Sequence, residues 1–303
     1  KYILMLKNKQ FKEFYNLPEK VEYCTRCVIS NQRPRISFND DGVCSACQFA
    51  DHKNTGINWD KRKKELEILC NKHRSSDGSY DVILPGSGGK DSNYVAHMLK
   101  DQYGMTPLMV TWAPHIYTEI GRENLTSIID SGFDNILVTP NGAVHRLMTK
   151  AAFLEMGDPF QPFIFGQYSA PFRVAIQYKI SLVFYGEDGE VEYGGSMDMS
   201  DRPSLGYKDF VNNRFSGIFP EFFAKYGIKP KDLERYSLSK DELVSLKELN
   251  IEQHFFSYYH KWIPQENFYY ALEHTGFNLN PERSEGTFTK YASLDDQLDG
   301  FHF

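Results

Sequence analysis

Residues 86–92 read Gly-Ser-Gly-Gly-Lys-Asp-Ser, and their types and spacing suit a binding site for a chain of phosphates. An apolar stretch, 81–85, precedes them and a helical pattern follows them. A strand, a glycine turn and a helix start bring several free backbone N–H groups and the positive end of a helix dipole to one point. Gly88 and Gly89 have no Cβ atom, so the backbone can approach phosphate oxygens closely. The alternative is a glycine turn that binds no ligand.

The polar side chains of this loop could each contact a phosphate group, a metal ion or the helix end. Ser87 and Ser92 can donate hydroxyl groups to phosphate oxygens, and Asp91 can orient a metal ion or cap the helix. Lys90 could either neutralise phosphate charge or face solvent. Leu84 stands where a Walker phosphate-binding loop has its first glycine, and an aspartate follows the lysine where that loop has Ser or Thr. The chain is therefore not a P-loop NTPase.

Two Cys-x-x-Cys pairs near the N-terminus have the spacing of a zinc site. Each short pair can aim two sulfur atoms at one ion, and four thiolates form a closed tetrahedron with no open position for catalysis. We therefore predict a structural zinc ion, with two disulfides or an iron–sulfur cluster as the alternatives. The predicted ligands are Cys24, Cys27, Cys44 and Cys47.

Composition narrows the class of protein. The chain has 303 residues, of which 24% are charged and 41% hydrophobic, and no apolar run approaches the roughly 20 residues of a membrane span. The net charge of −6 argues against a broad nucleic-acid footprint. Zinc thiolates, a fifth cysteine and the lack of a signal-peptide pattern favour a reducing compartment. We expect a cytoplasmic protein that binds neither membrane nor nucleic acid. The sequence is compatible with a homo-oligomer as well as with a monomer.

Strand and helix patterns alternate around the loop. Strands are predicted over 81–85, 107–112, 135–139 and 180–186. Helices are predicted at about 91–102, 118–130, 143–156 and 167–179. Such alternation predicts a parallel α/β sheet that binds ligands at the carboxyl ends of its strands.

Further candidate residues follow these strand ends. Beside the loop, we expect contacts to the same ligand from Thr111, Trp112, Glu187 and Asp188. One of the two carboxylates could hold Mg²⁺; the alternative is that they are turn residues that cap the next segment. After about residue 196 the pattern becomes mainly helical. The aromatic segment 254–270 is more typical of a core than of a platform for stacking bases.

The string from Ser87 to Ser92 resembles the PP-loop of the ATP pyrophosphatases, which grip the β- and γ-phosphates and cleave ATP between α and β. Together with the four-cysteine module and the late segment 283–296, it resembles the N-acetyl sugar amidotransferases, a PP-loop family of lipopolysaccharide, pseudaminic acid and legionaminic acid pathways. Segments 157–160 and 185–195 also look like signatures of that family. The resemblance runs from about Tyr23 to the end, and family chains normally continue past a segment like 299–303.

The patterns along the chain divide it into five predicted regions. They are an N-terminal segment (1–22), a zinc module (23–56), a connector helix (57–79), a PP-loop ATP-binding domain (80–200) and a mainly helical substrate or partner region (201–303).

The resemblance also implies an activity, the conversion of an N-acetyl group on a sugar into an acetamidino group. The amide oxygen would attack the α-phosphate of ATP, giving an O-adenylyl imidate and pyrophosphate, and ammonia would then displace AMP. Mg²⁺ would spread the phosphate charge. The implied cofactor contacts in the loop are Gly86, Ser87, Gly88, Gly89, Lys90, Asp91 and Ser92. The implied catalytic residues are Asp91, Ser87 and Glu187.

The implied substrate is a free or nucleotide-linked diacetamido sugar acid. Arg283 and Lys290 are candidates to bind its negative charge, or else are ordinary surface residues. Cys70 shares a helical stripe with His73, where both are predicted to pack, so the chain lacks a nucleophile for glutamine hydrolysis. Ammonia would come from a partner glutaminase with a cyclase-like subunit, like the two subunits of imidazole glycerol phosphate synthase.

Two other functions remain as alternatives. The first is a PP-loop tRNA-modifying enzyme of the thiolase or lysidine type, although the chain has no cysteine after Cys70. The second is a non-catalytic scaffold that binds zinc and nucleotide.

Overall fold

The protein was analysed as a computed structural model, which describes residues 18–215, 217–284 and 287–301. Most of the predicted N-terminal segment, and Glu285 and Gly286 of the late segment, lie outside these residues. The described chain divides into two compact units. The first contains residues 18–64, 187–203 and 257–261, and the second contains residues 65–186, 204–256 and 262–301.

A five-stranded parallel sheet forms the centre of the second unit. Its strands are β1 (Val82–Pro85), β2 (Pro107–Trp112), β3 (Asp134–Val138), β4 (Leu182–Tyr185) and β5 (Glu252–Phe255). They lie in the order β3-β2-β1-β4-β5. Strands β2 and β3 therefore lie on one side of β1, and β4 and β5 lie on the other side. Ligands of open α/β sheets bind where the order reverses, at the carboxyl ends of the strands. The segment that follows β1 occupies that place.

Four helices connect the first four strands. They are α3 (Lys90–His97, continued by a π-helical turn at Met98–Gln102), α4 (Glu119–Asp130), α5 (Gly142–Met156) and α6 (Gln161–Tyr178). Gly157 ends α5 with a φ of 75°, the left-handed conformation that glycine adopts without strain. The predicted strands and helices are thus found within a few residues of their expected bounds, except that α6 begins six residues before the predicted position 167.

The core of the second unit packs against the sheet. Ile83, Trp112 and Val183 from three strands are buried in one cluster with Phe165 and Phe172 of α6. Helix α6 lies so close to the sheet that the indole of Trp112 packs on Gly166.

Strand β5 was not anticipated by the sequence patterns. Its four residues read Glu-Gln-His-Phe, with no alternation of apolar and polar types, yet Gln253 and His254 are buried. It pairs in parallel with β4, Leu182 opposite Glu252. Position in the sheet, rather than residue type, makes this segment a strand.

The rest of the C-terminal region is helical. Its α-helices are α8 (Tyr207–Arg214), α9 (Pro230–Leu233), α10 (Lys240–Glu248), α11 (Phe256–Tyr259) and α12 (Pro264–His274), joined by 3₁₀ turns at Pro220–Tyr226, Glu234–Tyr236 and Asp299–Phe301. Helix α10 begins with a capping box in which Ser239 and Glu242 satisfy each other's backbone N–H groups. The predicted fold class is confirmed: a parallel α/β sheet with an N-terminal four-cysteine module and a mainly helical C-terminal region.

The first unit is built around the cysteines. It contains α1 (Ser45–Thr55), the first part of α2 (Trp59–His73), α7 (Gly189–Glu192) and a 3₁₀ turn at Met197–Met199. A partly buried ion pair joins Lys53 to Glu192, with Nζ and Oε2 2.5 Å apart, and Arg35 donates to Glu190. These pairs tie the cysteine segment to residues that follow it by more than a hundred positions.

Among the described helices, none is both long enough and apolar enough to cross a lipid bilayer.

The packing of α6 on the sheet can be tested at Gly166. A Cβ atom there would come within 2.0 Å of Cε2 of Trp112, so Gly166→Ala should destabilise the fold by about 1–3 kcal/mol. Gly142→Ala is the matched control, because a Cβ at that helical glycine meets nothing within 4 Å. Denaturant unfolding followed by circular dichroism would measure both. Equal stability of the two variants would contradict this packing.

Candidate functional site

The glycine loop is held at the end of β1 by its neighbour β2. The N–H of Gly86 donates to the carbonyl of Val110 at 3.1 Å, and Oγ1 of Thr111 donates to the carbonyl of Gly86 at 2.6 Å. Helix α3 begins at Lys90 with Gly89 as its extended N-cap. The backbone N–H groups of the first helical turn have no intrahelical partners, so they are available to an anion at this end.

Gly88 brings the loop against the backbone of α4. Its φ is 92°, and a Cβ there would lie 2.5 Å from the backbone carbon of Asn124 and from the backbone nitrogen of Leu125. Both the conformation and the space therefore require glycine at this position.

The charged side chains of the loop are paired. Lys90 is only 8% exposed and its ammonium donates to the adjacent Asp91, whose other carboxylate oxygen accepts from Nδ2 of Asn267 at 2.9 Å. The Lys90 ammonium also lies 5.0 Å from the ring centre of Tyr291. Of the two roles left open for Lys90, facing solvent does not fit this burial. Asp91 here orients the loop, through Lys90 and Asn267.

The hydroxyl groups of the loop point to different partners. Oγ of Ser92 donates to the carbonyl of Gly89 at 3.0 Å, while Oγ of Ser87 donates to the carboxylate of Asp295. Burial raises the pKa of the Asp295 carboxyl group to about 6, against the opposing effect of the hydrogen bond from Ser87. A carboxylate directed at the glycine loop is a group that can ligate Mg²⁺. Sequence analysis did not assign Asp295, although the late segment includes it.

Asp295 belongs to a short segment that we call the C-terminal strap, residues 291–299. The carbonyl of Asp295 accepts from the N–H of Thr118 at 3.2 Å, and the N–H of Gln297 donates to the carbonyl of Ile116 at 2.9 Å. These bonds dock the strap along the segment that follows β2. The strap therefore forms one side of the candidate site.

The next strap residue, Asp296, holds a histidine. Its Oδ2 accepts from Nδ1 of His115 at 2.9 Å, and both side chains are buried. Burial works against ionisation of Asp296, but the hydrogen bonds from His115 and from the N–H of Leu298 outweigh it and lower the pKa of the carboxyl group. Asp296 is thus an ionised partner that orients the imidazole ring.

A second histidine stacks on the first. The rings of His145 and His115 lie 4.5 Å apart between centres at an angle of 27°, and Nδ1 of His145 is 3.0 Å from the hydroxyl of Tyr236. Burial, with the charge of His115 as a smaller cause, lowers the pKa of His145 to about 3. His145 is therefore neutral at physiological pH.

Four other predicted site residues have polar contacts or exposure of their own. Glu187 and Asp188 belong to the first unit, where Asp188 caps α7 by accepting from the N–H of Glu190 at 3.1 Å. Lys290 is exposed, and its ammonium donates to the carbonyl of Pro281 at 2.6 Å. Arg283 is exposed in the same turn. Their roles in Mg²⁺ and substrate binding stay predictions.

The four cysteines of the first unit form a candidate metal centre. Their Sγ atoms all lie within 4.8 Å of one another, and none of these cysteines is in a disulfide. Two of the separations are 3.5 Å (Cys27 to Cys44) and 4.0 Å (Cys24 to Cys47). Zinc–sulfur bonds of about 2.3 Å place tetrahedral sulfurs roughly 3.8 Å apart, so the set fits one zinc ion.

Backbone N–H groups stabilise the thiolate form of one of these sulfurs, which is the form that binds a metal. Sγ of Cys24 accepts from the N–H of Cys44 at 3.3 Å and from the N–H of Arg26 at 3.4 Å. Although burial opposes the charged form, these bonds lower the pKa of Cys24 to about 6. Burial raises the pKa of Cys44 and Cys47. These backbone hydrogen bonds favour a thiolate at Cys24, and a bound cation would favour deprotonation of the other three.

Comparison with known sequences finds similarity over part of the chain. No family model matches the chain. An uncharacterised protein of Methanocaldococcus jannaschii is 31% identical over 88 residues, which are 29% of this chain and 31% of that protein. The chain thus spans about a third of the length of this curated relative.

The matches to solved structures have low sequence identity and low TM-scores. NMN synthetase from Francisella tularensis has a TM-score of 0.35 at 11% identity, covering 81% of this chain and 93% of its own. NH₃-dependent NAD synthetase from Campylobacter jejuni has a TM-score of 0.33 at 13% identity, covering 64% and 94%. The U34-tRNA thiolase from Methanococcus maripaludis has a TM-score of 0.28 at 17% identity, covering 84% and 83%. These similarities do not assign an activity to the chain.

The metal centre can be tested by metal analysis of the purified protein. We expect about one zinc ion per chain, and Cys24→Ser should lower zinc affinity at least tenfold, because even changes outside the ligand shell cost about 10–100-fold. Cys70→Ser is the control: Cys70 is equally buried but belongs to the second unit, and it should leave zinc content unchanged. Iron with visible absorbance in place of zinc would contradict the assignment.

Proposed function

We propose that the protein is an ATP-dependent amidotransferase that converts an N-acetyl group of a bacterial surface-polysaccharide or nonulosonic-acid sugar into an acetamidino group. The observation that carries the proposal is the loop at residues 86–92. Its Ser-Gly-Gly-x-Asp-Ser string lies where the strand order reverses, at the start of α3. The sugar and its pathway rest on the family resemblance of the cysteine module and the late segment.

The residues of the loop have distinct parts in this mechanism. The N–H groups at the start of α3 and the hydroxyl of Ser87 would bind the β- and γ-phosphates, which leave as pyrophosphate. Asp91 would keep the loop in shape through Lys90 and Asn267. Asp295, which accepts from Ser87, would hold Mg²⁺, and the ion would supply positive charge to the departing phosphates.

The reaction has two steps. The amide oxygen of the acceptor attacks the α-phosphorus of ATP; a new P–O bond forms, the α–β bridge breaks, and pyrophosphate leaves. The resulting O-adenylyl imidate has a good leaving group, so neutral ammonia adds at its carbon and AMP leaves with its oxygen. The net exchange replaces a carbonyl oxygen with a nitrogen. Positioning and charge stabilisation supply most of the catalysis in such transfers.

Ammonia would be delivered by a partner. Burial raises the pKa of the Cys70 thiol to about 12, so this residue is a poor nucleophile for glutamine hydrolysis. The other four cysteines form the metal cluster. We therefore propose a separate glutaminase that works with a cyclase-like, ammonia-channelling subunit.

A tRNA-modifying enzyme of the thiolase or lysidine type would use the same loop and the same adenylylation step. A zinc and nucleotide scaffold would bind ATP without cleaving it. Product analysis and RNA binding distinguish these functions from the proposal.

The nucleotide products test the proposal directly. With ATP, Mg²⁺, ammonium and a diacetamido sugar acid, we expect AMP, pyrophosphate and a sugar about 1 Da lighter. Ser87→Ala should lower turnover about 10²-fold or more, because one oriented donor to the reacting phosphates is lost. Thr126→Ala, which removes an exposed hydroxyl from α4, is the control.

Three results would contradict this assignment in different ways. ADP and phosphate as products would exclude the PP-loop chemistry. A tRNA complex that survives physiological salt would favour the modifying enzyme. ATP binding without cleavage, in the presence of acceptors and tRNA, would favour the scaffold.

The nitrogen source is a further test. The purified chain should use ammonium salts, with a rate that rises with pH because the neutral fraction of ammonia rises, and it should use glutamine only when a glutaminase is added. Cys70→Ala should leave ammonium-dependent turnover unchanged. Glutamine-dependent amidine formation by the single chain, lost in Cys70→Ala, would show that no partner is needed.

A further inference from the structure

A group of buried polar side chains lies beside the phosphate loop without a role in the mechanism above. We call it the histidine cluster, and its members are Trp112, His115, His145 and Gln161. Trp112 ends β2, His115 follows it, His145 lies on α5 and Gln161 is the first residue of α6. Exposure is 4% for Trp112, 6% for His145 and 1% for Gln161, and the side chain of His115 is 5% exposed.

Each imidazole ring of the cluster is fixed at one nitrogen. His115 is held at Nδ1 by Asp296 and His145 at Nδ1 by Tyr236, and the two rings stack. The second nitrogen of each ring, Nε2, is buried and has no hydrogen-bond partner within the described part of the chain. The same holds, among those residues, for Nε1 of Trp112 and Nε2 of Gln161.

Unsatisfied buried polar atoms are rare in folded proteins, because each one loses its bond to water without replacement. Here four such atoms belong to side chains of one neighbourhood. The indole of Trp112 lies 6.2 Å from the ring of His145, and the rings of Phe160 and Phe163, on either side of Gln161 in sequence, lie 5.6 and 5.9 Å from His115. Polar atoms with apolar walls are the composition of a ligand site.

The cluster is joined to the phosphate loop by two consecutive residues. Asp296 binds His115, and Asp295 binds Ser87 of the loop. Consecutive Cα atoms are about 3.8 Å apart, so one short piece of the strap spans the distance between the two sites. A group bound in the cluster would therefore lie near the phosphates of a nucleotide in the loop.

The hydrogen-bonding capacity of the cluster selects a chemical class. Nε1 of Trp112 and the amide nitrogen of Gln161 can only donate. The Nε2 atoms of the two imidazole rings donate or accept according to the state of each ring. A ligand that fits every member of the cluster has an oxygen that accepts from Trp112 and Gln161 and also offers an N–H. A secondary amide has both, whereas a carboxylate or phosphate has no proton to donate, and the carboxylate of Asp296 beside His115 disfavours a second anion.

We propose that the histidine cluster binds the acylamino group of the acceptor substrate and sets the specificity for it. This inference rests on the proposed function, because it assigns the amide that the reaction activates to a place in the fold. The aromatic rings of Phe160 and Phe163 would contact the methyl end of the group. His115 and His145 are specificity-determining residues in this assignment.

The test is a titration of the full chain, labelled with ¹⁵N in its histidine rings, followed by NMR. The probe is N-acetylglucosamine, and glucose and acetate are the matched probes without an amide. We expect only N-acetylglucosamine to shift the Nε2 signals of His115 and His145. His115→Asn and His145→Asn each keep a polar atom in the place of Nδ1 and remove Nε2, and they identify the two signals.

The same variants give an affinity test. Each should weaken N-acetylglucosamine binding by about tenfold or more, because a partner of a buried hydrogen bond is lost. ATP affinity should stay unchanged, which also shows that the variant is folded. His97→Asn is the control, since this histidine pairs with Ser131 and Asp101 elsewhere in the second unit.

Several results would overturn the assignment. They are shifts with acetate but not with N-acetylglucosamine, no shift with any probe, or amidine formation at the normal rate in both asparagine variants. The last result would leave the proposed amidotransferase function standing. Conversely, the expected shifts without AMP and pyrophosphate formation would support the amide site and remove the proposed function.

Discussion

The second unit depends on the hydrogen bonds that two neighbouring carboxylates make. Asp295 accepts from Ser87 in the glycine loop, and Asp296 accepts from His115 after β2. The adjacent residues differ in environment: burial raises the pKa of Asp295, while hydrogen bonds lower that of Asp296. The C-terminal strap thus positions both the glycine loop and an imidazole ring.

Local patterns were enough to predict most of the scaffold. Strands β1 to β4, the helices between them and the four-cysteine cluster all follow from signals within a few residues, such as apolar runs, helix-ending glycines and Cys-x-x-Cys spacing. Strand β5 has no such signal, since its sequence Glu-Gln-His-Phe carries little strand preference. It is a strand because β4 offers an edge to pair with.

The polar contacts of the site could not be predicted in the same way. Ser87 and Asp295 are 208 positions apart, and His115 and Asp296 are 181 apart, so no spacing rule relates them. At Asp188 the residue type left two roles open, metal binding and capping of the next segment. In the structure Asp188 caps α7, which is the ordinary role of an aspartate before a helix start, and its part in Mg²⁺ binding stays a prediction.

The contact between Gly88 and α4 is made to backbone atoms, namely the carbonyl carbon of Asn124 and the amide nitrogen of Leu125. Every amino acid presents the same backbone, so the requirement for close approach falls on position 88 alone. Side chains on that turn of α4 can change without altering the width of the gap. A substitution at 88, by contrast, cannot be compensated by a smaller residue opposite. The close approach is therefore specified by one residue on one side, and this contact places no requirement on the side chains of α4.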